Sequence, residues 1–392
     1  HSGKGTLVLD NGTNIIASTL TIGSLAGSEG RVNMTGDGAL MVVTAGVTVA
    51  DAAGSRGYLN VSNGTMSIGG VSYWGVNGDA LVVLSGGSIT SSASIALPRT
   101  AGTGILVMAS SESSLINGGM TVPQAAGRGE IYLSNGYMNA DSLQLGNGSG
   151  SYGFMSMNNS TLDVRRTGGT GLSIGGNYVG STVASTGLVV LADERAVARI
   201  GLDISGSGIG TVVAIGSGSQ GTLIISNGTL VTKGMTLGQS TGSRGVMSIE
   251  AGQVIVQTNS FSIGNGPGST GWLAMVHGDA VLDVSQGNPT TTIGGGDGSV
   301  GELYVSNGLA NFHVLNVAQI GRGYVEVGAA TVTVASSLVI PVTHVTAGGT
   351  GVFAMVSADS YVVATNNMYL GADQASEAVR KASASLLVSN GT

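Results

Sequence analysis

Apolar residues recur at two fixed steps after a small residue, and one short phrase returns along the whole chain. In Gly221-Thr222-Leu223-Ile224-Ile225-Ser226-Asn227-Gly228-Thr229-Leu230 the residues two and four after the glycine are Leu223 and Ile225. Gly57-Tyr58-Leu59-Asn60-Val61-Ser62-Asn63-Gly64 and Gly301-Glu302-Leu303-Tyr304-Val305-Ser306-Asn307-Gly308 repeat the phrase, and Leu386-Leu387-Val388-Ser389-Asn390 carries it again. Alternation with period two is the mark of a strand that buries one face. Small residues anchor the phrase at Gly5, Gly30, Gly57, Ala80, Gly104, Gly129, Gly153, Gly187, Gly221, Gly245, Gly271, Gly301, Gly323, Gly351 and Ala384. All thirty positions two and four after these fifteen anchors are large and apolar, too many for coincidence in a chain that is 42% hydrophobic.

Six residues after the anchor a corner is expected, where Asn11, Asn63, Asn135, Asn159, Asn227, Asn307 and Asn390 stand. Asn, and the Gly that often follows it, tolerate the left-handed backbone of a sharp turn. About ten residues further on comes a second strand pattern, apolar-Thr/Ser-apolar-Gly, as in Leu20-Thr21-Ile22-Gly23 and Met235-Thr236-Leu237-Gly238. A less regular apolar stretch such as Leu162-Asp163-Val164 lies between the two. A self-similar period of about 27 residues with three short strands per unit predicts an all-β solenoid. The expected fold is a parallel β-helix of 14 to 15 coils forming one domain over residues 1–392. Coils about 4.8 Å apart would make a rod of roughly 70 Å. Insertions fall at 177–186 and 372–382, the latter a short helix or loop by its polar, glycine-free composition.

The run Gly-x-Leu-x-Val-Ser-Asn-Gly-Thr-Leu, with Leu-Thr-Ile-Gly and a Gly-Ser corner after it, resembles repeats of bacterial surface proteins. It is similar to those associated with autotransporter passengers and with PEP-CTERM-type exported proteins, and the likeness covers essentially the whole chain. The resemblance implies a β-solenoid and export, hence an extracellular or cell-surface location with any signal peptide removed. It implies no particular activity.

Charge narrows the partners. The formal net charge is −7, from 21 acidic and 14 basic residues, so no basic footprint for nucleic acid and no polybasic segment for lipid is expected. No apolar run approaches the length needed to enter and cross a bilayer, so no membrane insertion is expected. The chain has no cysteine, which removes disulfides and thiolate metal sites.

Many parallel β-helices act on polysaccharides, and such a site needs carboxylates, or a carboxylate with Arg, Lys or His, on one face of neighbouring coils. His277, His313 and His344 do not line up, and Asp193-Glu194-Arg195 reads as a solvated turn. Arg56, Arg128, Arg244 and Arg322 share one corner, with Glu29 in the equivalent place, and read as a solvated edge. Arg165-Arg166 is a lone basic pair. The runs 146–151 and 294–299 are similar to calcium-binding nonapeptides but contain a single Asp, Asp297, between them. Tyr58, Tyr73, Trp74, Tyr132 and Trp272 are the candidates for contact with surface glycans, with no ladder on adjacent coils expected. Neither a catalytic centre nor a cofactor is therefore expected.

The ends suggest a different use. A solenoid exposes strand edges and core at its terminal coils unless something covers them. Leu7, Leu9, Leu20 and Ile22 at one end, and Leu386, Val388 and Asn390 at the other, form the expected subunit interface of a head-to-tail homopolymer. The competing expectation is a segment of a longer adhesin or passenger stalk, and the third a glycan-active enzyme.

Overall fold

Thirty-nine strands and no helix make up the described part of the computed structural model, which covers residues 3–165, 170–176, 184–202, 210–343, 349–373 and 383–389. Neighbouring coils pair in parallel, and the chain forms the parallel β-solenoid that the repeat predicts. Each regular coil has an opening strand, a middle strand and a closing strand. In one coil these are Gln220–Ile225, Thr229–Thr232 and Met235–Leu237. They pair with Arg244–Ile249, Gly252–Val256 and Phe261–Ile263 of the next coil.

The anchors set the register. Gly5 stands opposite Gly30, Gly30 opposite Gly57, Gly221 opposite Gly245, Gly301 opposite Gly323 and Gly351 opposite Ala384. The remaining anchors also pair each with the next, so the opening strands form an unbroken ladder from Lys4 to Val388. Two coils depart from the three-strand outline. Val300–Val317 and Arg322–Thr343 run through their corners as long bent strands that pair with all three faces.

The core is the stack of residues two and four after each anchor, joined by inward residues of the other strands. Leu223, Ile225, Met247, Ile249, Leu303 and Val305 are fully buried. Four of the thirty positions are not buried, and all lie in the first or last opening strand. Leu7 and Leu9 are half-buried, while Leu386 and Val388 are 36% and 54% exposed.

Close approach explains why the anchor is small. After Met235–Leu237 the chain turns at Gly238, with φ +71°, and passes directly over Gly245. A Cβ on Gly245 would run into the Gly238 amide nitrogen, a backbone atom that cannot swing aside. At Gly5 the same Cβ would meet nothing within 4 Å. The next corner closes on a serine. The Ser243 hydroxyl donates to the Ser240 carbonyl at 2.7 Å and accepts from the Ser240 amide at 3.1 Å. Ser299 does the same with Gly296, at 2.7 and 3.0 Å.

The asparagine corner differs in detail from the sequence expectation. The left-handed residue is usually the Gly after the Asn: Gly12, Gly64, Gly136 and Gly308 have φ between 81° and 96°. Asn159, followed by Ser160, takes φ 41° itself. The Asn side chains instead tie coils together. Those of Asn63, Asn135 and Asn307 donate to the carbonyls of Thr35, Ala109 and Val276 in the preceding coil, at 3.1, 3.2 and 3.1 Å.

Of the two insertions, 177–183 lies outside the described residues and Thr186 already opens the strand Thr186–Leu191. Ala372 and Asp373 end the strand Asn367–Asp373, and 374–382 lie outside the described residues.

Candidate functional site

The predicted subunit interface falls on the two terminal coils. Lys4–Leu9, Gly12–Ile16 and Leu20–Ile22 present one edge each with no further coil against them. Leu7, Leu20 and Ile22 line an open hollow of about 500 Å³ with Gly23, Ser28 and Val32. Leu9 lies on the same strand and packs against the core half-buried. At the other end Ser383–Val388 lies on Thr350–Met355, and Leu386, Leu387 and Val388 are exposed. Tyr361, Met368, Tyr369 and Leu370 of the last full coil are exposed as well. Asn390 lies outside the described residues. Among the described residues, eleven of the fourteen large apolar side chains that are exposed belong to these two ends, counting Val8, Ile15, Leu25 and Val356.

Away from the ends, the outer face of the opening strands carries the richest chemistry. Residues one and three after each anchor point outward there, and pairing stacks them in columns. Trp272, Glu302 and Tyr324 form one column over three consecutive coils; Ala274, Tyr304 and Glu326 form the column beside it. Rings and carboxylates therefore alternate as on a chequerboard. The ring centroids of Trp272 and Tyr304 are 6.0 Å apart and those of Tyr304 and Tyr324 are 5.6 Å apart. The Tyr304 hydroxyl donates to Glu302 Oε2 at 3.3 Å and the Tyr324 hydroxyl to Glu326 Oε2 at 2.6 Å. That hydrogen bond to Glu326, aided by burial and by the charge of Glu326, pushes the Tyr324 hydroxyl up to about 12. Burial, then the charge of Glu302, raises Tyr304 as well.

A second cluster sits five coils earlier on the same face. Arg128 contacts Glu130 directly and lies over the Tyr152 ring at 5.3 Å, while the Tyr132 hydroxyl donates to Glu130 Oε2 at 2.6 Å. Tyr132 also packs on Phe154, centroids 5.5 Å apart. Glu130 is only 6% exposed. Burial alone would raise its carboxyl, but the hydrogen bonds from Tyr132 and Arg128 outweigh it and hold the group below the ordinary carboxylate value. On the middle strands, Asp163 accepts from Tyr137 at 2.9 Å and pairs with Arg199 at 3.5 Å. Arg165 donates to Tyr137 at 3.3 Å, so it is no lone basic residue; Arg166 lies outside the described residues.

Several sequence expectations are corrected by this geometry. The five rings named from the sequence form no ladder among themselves, but Trp272 joins Tyr304 and Tyr324, which were not among them, in a diagonal over three adjacent coils. Trp74 is fully buried and unavailable to a ligand. Tyr58 and Tyr73 each lie under an arginine, Arg31 and Arg99, at 4.3 Å. Arg128 is a partner in a cluster, unlike a plain solvated edge. The signal was present in the sequence: an outward Trp, Glu-x-Tyr and Tyr-x-Glu fall at matching distances from three successive anchors.

The histidines stay apart. His277 Nδ1 accepts from the Asp279 amide at 3.3 Å at an exposed corner, His313 is half-buried on a long strand, and His344 lies outside the described residues. Among the described residues no three His, Asp or Glu side chains gather as metal ligands would, and no helix is long and apolar enough to cross a membrane. In the 146–151 and 294–299 runs the hydroxyls of Ser151 and Ser299 donate to the carbonyls of Gly148 and Gly296, at 2.6 and 2.7 Å.

Fold and repeat together place the chain in the class of parallel β-solenoid repeat proteins. No family description, no curated protein and no solved structure matches it.

Proposed function

We propose that the chain is a non-enzymatic structural protein of the cell surface or extracellular space, whose solenoid stacks head to tail with further copies. The observation that carries this reading is the concentration of exposed apolar side chains and unpaired strand edges at the two terminal coils. An exposed strand edge is a template for another strand, and a contact between two different ends repeats without closing. Seating Ser383–Val388 of one copy against Lys4–Leu9 of the next continues the anchor register. Ala384 then faces Gly5, Leu386 faces Leu7, and Val388 faces Leu9. Export rests on the resemblance of the repeats to those of surface proteins.

A second reading is a stalk segment of a longer adhesin or passenger, and one observation favours it. The last coil has an opening strand, Ser383–Val388, but no described middle or closing strand beyond it. Opening strand on opening strand therefore leaves one rung empty on the other two faces, whose strands would stand about 9.6 Å apart, twice the paired spacing. Additional coils of the same chain would fill that step.

The absence of cysteine makes the test clean. Val8 and Leu387 are outward and exposed, and the proposed register sets them opposite each other. Paired strands hold Cα atoms within disulfide reach, which extends to about 6.8 Å. The variant Val8→Cys/Leu387→Cys should form covalent multimers on mild oxidation, reversed by reductant, and the parent should show long fibres of uniform width by negative-stain microscopy. Discrete rods of constant monomer mass over a concentration series, with no cross-linking, would overturn the polymer and leave the stalk.

A further inference from the structure

The chain uses one device three times on its surface: an arginine laid over a tyrosine ring. Arg31 covers Tyr58, Arg99 covers Tyr73, and Arg128 covers Tyr152. In two of these places a glutamate holds the guanidinium as well, Glu29 for Arg31 and Glu130 for Arg128. The chequerboard of Trp272, Tyr304, Tyr324, Glu302 and Glu326 has the same ring and carboxylate groups on the same face of the rod. There the cation is missing. Among the described residues no ion pair reaches Glu302 or Glu326, and no guanidinium lies over its three rings. Arg322, exposed at the margin two residues before Tyr324, makes neither contact.

We infer that this chequerboard is a binding surface for a guanidinium-bearing segment of another polypeptide. Each of its two carboxylates has a hydroxyl partner on one oxygen, Oε2, and can take a planar cation through its remaining lone pairs. The rings beside them present negative π faces to the same cation. Charge complementarity favours this occupant: two carboxylates and three rings face outward, the exposed Arg244 and Arg322 stand at the margins with neither an ion pair nor a ring contact to them, and the chain carries a net charge of −7. The rings are already packed on one another and the carboxylates already held by phenols, so little ordering is needed on binding. The inference stands apart from end-to-end stacking, since it concerns the side of the rod.

Trp272 supplies the readout. The chain has two tryptophans, and the other, Trp74, is fully buried. Titration of the full chain with hexa-arginine should change Trp272 fluorescence saturably. Glu302→Gln/Glu326→Gln should weaken that binding about tenfold, and high salt should weaken it in the parent. Should the double variant lose its far-ultraviolet strand signal, Trp272→Leu followed by calorimetry replaces it, with a loss of the same order expected. No fluorescence change with hexa-arginine, or equal affinity in parent and variants, overturns the inference. A response to a neutral oligosaccharide such as cellohexaose with none to the peptide also overturns it, because the rings would then be stacking sugar.

Discussion

Gly245 and Gly5 open the same phrase, yet one is crossed by the preceding corner and the other has empty space where a side chain would go. Leu223 and Leu386 likewise hold the same place in it. The first is fully buried and the second is 36% exposed. The difference lies outside the phrase itself. Each coil is stabilised by its neighbours, so an interior coil has two such interfaces and a terminal coil has one. An identical sequence word therefore carries different free energy according to its rung. If a terminal coil were covered by another copy, that difference would shrink.

Leu223→Ala should show the largest effect. Removing a fully buried leucine side chain costs about 2–5 kcal/mol through lost burial and a residual cavity. Leu386→Ala should cost less than about 1 kcal/mol in the isolated chain, as exposed sites do. Urea unfolding followed by circular dichroism checks both. Equal losses at the two sites under dilute conditions would break the comparison. A loss at Leu386 that appears only at high protein concentration would sharpen it, since burial there would then come from a second copy.

Gly245→Ala comes next. The added methyl group meets the Gly238 backbone, and overpacking of this kind costs about 1–3 kcal/mol. Gly5→Ala should be near neutral in the same assay. The chain tolerates one interior alanine anchor, Ala80, after a corner that turns at Gly75; the spacing alone does not make the room, since the corner at Ala318 stands equally close before Gly323 and its amide nitrogen would still meet a Cβ there. The penalty at Gly245 thus belongs to its corner, and a Gly245→Ala variant as stable as the parent would show that the corner yields.

Much of this was legible in the sequence. The thirty apolar positions name the inward face because a strand has period two, and anchor spacing names the register because each coil must return to the same column. The Asn corner was visible as a turn. Its role in tying coils together was not, because an amide that donates to the previous coil looks no different in one dimension from an amide that only turns the chain. The chequerboard was missed for a related reason. Trp272, Tyr304 and Tyr324 are separated by intervals of 32 and 20 residues, and alternate between positions one and three after the anchor. Neighbours on a diagonal share no single sequence offset, so a search along one column passes over them.

A further variant asks whether the chequerboard and the Arg128 cluster differ only by their cation. Arg128→Gln uncovers the Tyr152 ring and frees one side of Glu130, which should create a second, weaker hexa-arginine site. Calorimetric stoichiometry reads it. An unchanged stoichiometry would mean that ring and carboxylate together are insufficient, and that the diagonal of three rings is required.

The smallest effect expected is acid titration, and it returns to interior against end. Glu130 lies in an interior coil at 6% exposure; Glu29 lies in the second coil, held by Arg31 and Lys4. Hydrogen bonds from Arg31 and then Lys4 lower Glu29, and those from Tyr132 and Arg128 lower Glu130 against the opposing effect of burial. A carboxyl lowered in the folded state stabilises the fold above its unfolded value, and that contribution fades as pH falls through the folded value. The stability deficit of Glu130→Gln against the parent should therefore be present at neutral pH and close below about pH 4, where the unfolded carboxyl itself protonates. Glu29→Gln should show the same sign with a smaller deficit that salt erases, because ions screen a surface pair far better than a buried one. A salt-insensitive deficit at Glu29 would mean that something covers the first coil.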